Sequence, residues 1–136
     1  MQGIFGDDNL FWHASSLLEN IVIYTLIITS NHLTTGRNAL HLAQDLIMQN
    51  AKINRVYFLF DGAFVANKYI DMPTDEFDLT AAWTDFAQKN KISLAVCKAS
   101  GLRRGISDHS IAASFSFGSI GELVESCAAA NEVLTL

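Results

Sequence analysis

The sequence predicts an α/β sandwich with a mainly parallel sheet, and three observations lead to this fold class. Residues 21–28 are apolar on both faces and rich in β-branched side chains, which is typical of a buried strand in a parallel sheet. Segments of strand type alternate with segments of helical periodicity along the chain. Half of the residues are hydrophobic and only one is proline, which favours a single core without a Pro-rich linker.

The first half of the chain has the pattern of a βαβ unit. After the first strand, polar residues 29–35 predict a loop, and apolar residues at helical spacing predict a helix over residues 36–50. The next strand is predicted over residues 55–60 and is closed by a turn at Asp61 and Gly62. We therefore expect two strands joined by a crossover helix.

The second half repeats this alternation. An amphipathic helix is predicted over residues 75–90, with Thr74 as its N-cap. A strand over residues 92–97 precedes a loop over residues 98–108. The remaining predicted elements are a weak strand at 115–117, a helix at 119–131 and a final strand at 132–136.

The chain divides into an N-terminal extension, residues 1–20, whose order the sequence leaves open, and a single α/β domain, residues 21–136. The extension lacks the basic region with which a signal peptide begins. The apolar run after it is far shorter than the roughly 20 residues that span a bilayer. We therefore expect a cytoplasmic protein with no membrane contact and with reduced thiols.

The charge balance argues against strong, direct binding of nucleic acid. The chain has 9 basic and 14 acidic residues and a formal net charge of −5, whereas phosphate binding depends on a surplus of Lys and Arg. Three of the basic residues nevertheless follow one cysteine closely: Lys98, Arg103 and Arg104 come just after Cys97. The local charge there is positive although the whole chain is acidic.

The two cysteines cannot form a disulfide framework or a four-ligand zinc site. Cys127 falls on the apolar face of a predicted helix, so we interpret it as a core residue. The four histidines are isolated and no glycine-rich phosphate loop is present, so we expect neither a metal nor a cofactor.

Cys97 is the candidate catalytic residue. It ends a predicted strand, and ligands and catalytic groups of parallel α/β sheets gather at the carboxyl ends of the strands. Small polar residues follow it, which predicts a surface loop, and the nearby cations favour the thiolate, the reactive form. A short helix that begins at Ser100 would add N–H groups that favour an anion. The alternative is a buried, unreactive residue at the end of a strand.

Three segments of the chain resemble the TusD/DsrE family of sulfur-relay subunits: RVYFLFDGAFVAN, DEFDLTAAWTDFA and LAVCKASGLRRGISD. The most specific element is a strand-end cysteine followed six and seven residues later by two arginines and then glycine, here Cys97, Arg103, Arg104 and Gly105. The upstream Asp61-Gly62 pair agrees with this resemblance. The family usually has small apolar residues directly after the cysteine, whereas this chain has the polar residues Lys98 and Ser100.

The resemblance implies a three-layer α/β/α sandwich and a sulfurtransferase that carries sulfur as a persulfide on Cys97, supported by Lys98, Arg103, Arg104, Asp61 and Gly62. It implies a heterohexamer with TusB-like and TusC-like paralogues, an upstream persulfide donor and a TusE-like acceptor. The sulfur would reach the 2-thiouridine of the tRNA wobble position.

There are three alternatives to this function. One is a DsrE-type role in dissimilatory sulfur oxidation, and another is a non-catalytic assembly subunit of the same hetero-oligomer. The third, a flavodoxin-like nucleotide or small-molecule binder, would need a glycine-rich phosphate loop after the first strand, and residues 30–36 do not supply the glycines.

Overall fold

The structure is a computed structural model, and it describes residues 20–136. The predicted extension, apart from Asn20, lies outside the described residues. Residues 20–136 form five strands: β1 (Ile23–Ile28), β2 (Lys52–Phe58), β3 (Leu94–Cys97), β4 (Phe115–Gly118) and β5 (Glu132–Thr135). The α-helices are α1 (Leu33–Met48), α2 (Leu79–Asn90), α3 (Lys98–Arg103) and α4 (Ile120–Ala129), and a 3-10 helix spans Phe60–Ala66.

The five strands form one sheet in the order β4-β3-β2-β1-β5, and every neighbouring pair is parallel. The predicted α/β fold with a parallel sheet is therefore confirmed. Strand β3 lies inside the sheet, between β2 and β4. Because all the strands run in one direction, their carboxyl ends share one edge of the sheet, and Cys97 lies at that edge.

One face of the sheet carries the main hydrophobic core under helices α1 and α2. Alternate strand residues such as Val56 and Phe58 point to this face and are fully buried. Trp83 of α2 packs edge-on against Phe58 and Phe86, with ring centroids 5.6 Å apart in both pairs. This face supplies most of the buried apolar surface that stabilises the domain.

The opposite face is covered by α4 and holds a smaller apolar cluster of Tyr57, Ala95 and Cys97, with Leu59 and Leu123 packed against it. The helix is tied to β2 by the Arg55–Glu122 ion pair at 3.1 Å. Helices on both faces make the three layers that the sequence resemblance implies.

Helix α4 buries little of its own surface. Within residues 20–136, none of its ten residues is fully buried. Ile120 and Val124 are 58% and 61% exposed, which leaves an apolar surface on this side of the sheet.

Several predicted boundaries were wrong. Helix α2 starts at Leu79 rather than at residue 75, and its N-cap is Asp78, whose carboxylate accepts a hydrogen bond from the Ala81 N–H at 3.0 Å. Thr74 lies instead in a turn in which the Glu76 N–H donates to the Pro73 carbonyl. In addition, β2 ends two residues early, and helix α3 begins directly after Cys97 where a loop was predicted.

The pair Asp61-Gly62 lies within the 3-10 helix rather than in a simple turn. That helix begins at Phe60, whose φ of 51° lies in the left-handed region. No helix among the described residues is both long enough and apolar enough to cross a membrane.

Candidate functional site

Cys97 is the last residue of β3 and the N-cap of α3, so one residue joins the strand to the helix. Its backbone pairs with Gly118, the last residue of β4. The side chain is only 7% exposed, although the polar sequence after it predicted a surface position. The prediction failed because α3 starts at once and packs its first turn against the sheet edge. The thiol lies at the carboxyl edge of the sheet, on the face that α4 covers.

The surroundings of Cys97 favour the thiolate. Burial raises the pKa of the thiol, but this effect is outweighed by the Ser100 hydroxyl, by the N–H groups of Ser100 and Ala99, and by the positive charge of Arg103. The pKa is therefore lowered, in the predicted direction. The hydrogen-bonding groups lower the pKa of Cys97 more than Arg103 does, whereas the sequence analysis attributed this effect mainly to cations. In the conformation observed, the Cys97 side chain makes no capping hydrogen bond. The effect of these donors is therefore on the ionised sulfur, since a hydrogen bond to the charged form of a group favours that form.

Arg104 and Asp61 form an ion pair that links the two loops beside the cysteine. The Arg104 Nε lies 3.0 Å from Asp61 Oδ1, and its Nη1 donates to the Ser100 carbonyl at 3.0 Å. The guanidinium also lies 5.8 Å from the centre of the Phe64 ring. Arg104 thus joins the 3-10 helix to α3, and its charge is neutralised by Asp61. Its role here is to hold the loops together rather than to face the sulfur.

Gly62 allows a close approach of two backbone segments. A Cβ on this residue would collide with the Ile28 carbonyl at the end of β1, and would lie 2.8 Å from the carbonyl carbon. Only glycine fits this contact. Gly62 therefore fixes the 3-10 helix against the carboxyl edge of the sheet and does not itself offer a reactive group.

The two remaining predicted cations are both exposed. Lys98 is the first residue of α3 and Arg103 is the last. Of the two, Arg103 is the one whose charge lowers the Cys97 pKa. Both charges are available to a molecule that approaches this edge.

Sequence reasoning missed two groups that contact or surround the cysteine. Ser100 was predicted only as the start of a short helix, yet it is buried and its Oγ accepts a hydrogen bond from the Phe60 N–H at 2.9 Å. Its polarity in a position where the family has small apolar residues was the available signal. Tyr57 gave no signal, because an aromatic residue inside a strand is ordinary core.

Tyr57 packs in the same apolar cluster as Cys97. Its hydroxyl lies 2.8 Å from the carbonyl oxygens of both Gly118 and Ser119, to which it can donate its single hydrogen. Burial raises the pKa of Tyr57 to about 12, and the negative charges of Cys97 and Glu122 act in the same direction against the lowering effect of Arg55. The hydroxyl is therefore neutral, and it fixes the end of β4 next to the cysteine.

Cys127 is half-buried on α4, so its assignment to the core was wrong. The sequence correctly predicted that α4 has an apolar face, but within residues 20–136 no residue of this helix is fully buried. Residues 20–136 contain no group of three His, Cys, Asp or Glu side chains that could hold a metal ion.

The fold and the site together define a small parallel α/β domain with one buried thiol of lowered pKa at the carboxyl edge of its sheet, and a lowered pKa is typical of reactive cysteines. The profile of the DsrE/DsrF-like family matches residues 22–136. This chain belongs to that family.

Relatives in the family include proteins named sulfurtransferase TusD. The one from Pectobacterium carotovorum is 31% identical over 124 residues, which cover 82% of this chain and 96% of the relative. The one from Cronobacter sakazakii is 33% identical over 87 residues, or 62% and 68% of the two chains. The one from Buchnera aphidicola is 36% identical over 85 residues, or 61% and 66%. Their names support a sulfurtransferase role for this chain.

Two solved structures share the fold. The YchN protein from E. coli superposes with a TM-score of 0.72 at 20% identity, covering 85% of this chain and 99% of that chain. A protein of unknown function from Methanobacterium thermoautotrophicum gives a TM-score of 0.65 at 8% identity, with the same coverage. At these identities the likeness concerns the fold alone.

Proposed function

We propose that this chain is a cytoplasmic sulfurtransferase subunit that carries sulfur as a persulfide on Cys97 and relays it between proteins. The observation that carries the proposal is the position of Cys97, at the carboxyl end of an interior strand and among groups that lower its pKa. Family membership and the names of the relatives point to the same chemistry.

The proposed reaction moves one sulfur atom in two displacements. The Cys97 thiolate attacks the terminal sulfur of a donor persulfide, R–S–SH; a new S–S bond forms, the donor S–S bond breaks, and the donor leaves as its thiolate. An acceptor thiolate then attacks the outer sulfur on Cys97, and Cys97 leaves as a thiolate. Sulfur is transferred without an external oxidant or reductant, so the proposal requires no metal or cofactor.

The supporting residues act in three different ways in this proposal. Arg103 and Lys98 supply positive potential to anions at the site. Asp61 and Arg104 hold the 3-10 helix and α3 together, and Gly62 sets the 3-10 helix against the sheet. The last three therefore preserve the shape around the thiol.

We propose further that the chain works in a heterohexamer with TusB-like and TusC-like paralogues, between a persulfide donor and a TusE-like acceptor. The exposed apolar residues of α4, Ile120 and Val124, are suited to a protein interface. Co-expression with the two paralogues should give a defined hetero-oligomer in size-exclusion chromatography. A monodisperse chain that ignores both at micromolar concentration would contradict this assembly.

The proposed destination of the sulfur is the 2-thiouridine of the tRNA wobble position, reached through the acceptor and not by tRNA binding to this chain. The negative net charge of −5 supports an indirect role. Deleting the gene should abolish wobble-uridine thiolation in mass spectrometry of total tRNA. Intact thiolation with impaired sulfur oxidation would favour the DsrE-type role instead.

Incubation with a low-molecular-weight persulfide, followed by intact-mass analysis and peptide mapping, tests the carrier residue. Cys97 should gain one sulfur atom that reductant removes, and Cys97→Ser should lose both this adduct and onward transfer to an acceptor while keeping its fold. Cys127→Ala is the matched control, since it removes the other cysteine and should keep both activities. An adduct formed only on Cys127, or relay by Cys97→Ser, would favour the assembly-subunit alternative.

A further inference from the structure

Ser100 is a buried serine with a hydrogen to donate. Its side chain is 3% exposed, and its Oγ accepts a hydrogen bond from the Phe60 N–H at 2.9 Å. A hydroxyl has one hydrogen and two lone pairs, so this bond uses a lone pair and leaves the hydrogen free. Within residues 20–136, no hydrogen bond donated by this hydroxyl is found. A buried donor without an acceptor costs free energy, which an anion beside it would recover.

Ser100 and Cys97 lie at the two ends of the first turn of α3. Cys97 is the N-cap of α3 and Ser100 is its third residue, and the N-cap side chain and the third residue of a helix face each other across the first turn. The backbone of Ser100 is held in place, since its carbonyl accepts a hydrogen bond from Arg104, which is paired in turn with Asp61. Phe60 holds the hydroxyl oxygen from the other side.

We propose that Ser100 is a thiolate-stabilising residue, whose hydroxyl donates a hydrogen bond to the Cys97 sulfur whenever that sulfur is ionised. The inference deepens the proposed function and rests on it. Cys97 is a thiolate before it accepts sulfur in the first displacement and again after it gives the sulfur up in the second. The bond moves no proton and consumes nothing. It increases the fraction of attacking thiolate in the first displacement and makes Cys97 a better leaving group in the second.

The burial and charge around Cys97 explain why a hydroxyl matters there. The thiol lies in an apolar cluster with Tyr57 and Ala95, where an unpaired sulfur anion would be unfavourable. Among the groups that oppose the effect of burial on the pKa of Cys97, the Ser100 side chain is the largest. Exposed Arg103 acts through solvent and is screened by salt.

The test is the pH dependence of Cys97 alkylation by iodoacetamide, in a Cys127→Ala background so that one thiol reacts. Ser100→Ala should raise the midpoint by about one pKa unit, which lowers the rate about tenfold at pH values below the midpoint. Ser110→Ala is the matched control. Ser110 is also buried, and its Oγ accepts from the Ser107 N–H at 2.8 Å and donates to the Gly105 carbonyl at 3.1 Å. This control loses equivalent hydrogen bonds and should keep the wild-type midpoint.

A purely structural role for Ser100 would lower stability without moving the midpoint. An unchanged midpoint in folded Ser100→Ala, or an equal rise in Ser110→Ala, would therefore overturn the inference. Ser100→Thr keeps the hydroxyl and should keep the wild-type midpoint. A midpoint raised in folded Ser100→Thr would also overturn it, so this variant decides the question if Ser100→Ala does not fold. The alkylation assay contains no sulfur donor, so it separates failure of this inference from failure of Cys97 as carrier.

Discussion

Gly62→Ala is expected to destabilise the domain by about 2–4 kcal/mol. The added Cβ would overlap the Ile28 carbonyl oxygen and lie 2.8 Å from its carbon, so either backbone segment must move. Overpacking of this kind costs about 1–3 kcal/mol. A shift of Ile28 would also weaken the 2.9 Å hydrogen bond that its carbonyl accepts from the Leu59 N–H, worth about 1 kcal/mol net. A displacement of Ile28 that brings both costs gives the upper part of this range, and partial relaxation gives the lower part.

Urea unfolding measures this loss as a lower midpoint at an unchanged m-value. Two other glycines serve as controls. Gly105→Ala meets no atom within 4 Å but has a φ of 76°, so it should cost only about 1–2 kcal/mol. Gly121 lies within α4, and a Cβ added there would be 3.6 Å from Ser119 Oγ, an ordinary contact distance. Gly121→Ala should therefore be neutral or stabilising by up to about 1 kcal/mol. A wild-type midpoint for Gly62→Ala, or a smaller loss than that of Gly105→Ala, would refute the close-contact argument.

Two further predictions concern the residues around the thiol. Because the pKa of Cys97 is lower in the folded protein than in the unfolded chain, its thiolate stabilises the fold above the unfolded pKa, and this contribution is lost as the pH falls through the folded value. The stability advantage of wild type over Cys97→Ala should therefore grow between pH 7 and pH 9 in urea titrations, and a constant difference would contradict it. Tyr57→Phe removes a hydroxyl that lies 2.8 Å from the Gly118 carbonyl and should cost about 1–2 kcal/mol in the same assay, so equal stability would count against a structural role for that hydrogen bond.

The amphipathic segments and the candidate cysteine could be predicted because their signals are local. The apolar pattern of a strand or of a helix is complete within one short stretch of sequence. All five strands and the helices before β2, β3 and β5 were therefore predicted. Cys97 was recognised from its place at the end of such a strand and from the Arg103-Arg104-Gly105 sequence that follows. Element boundaries were less accurate, because N-capping depends on which side chain reaches the first turn, as Asp78 does in place of Thr74.

The surroundings of the thiol depended on contacts between residues far apart in the chain. Asp61 and Arg104 are 43 residues apart and are brought together only because β2 and β3 are neighbours whose carboxyl ends coincide. The same pairing places the Phe60 N–H on Ser100, 40 residues later. Nothing in either segment alone marks these partners, since a local pattern carries no information about strand order. By itself, the sequence predicted the fold class and the candidate cysteine, while the tertiary structure decided that Arg104 links the 3-10 helix to α3 and that the Ser100 hydroxyl accepts a hydrogen bond from Phe60.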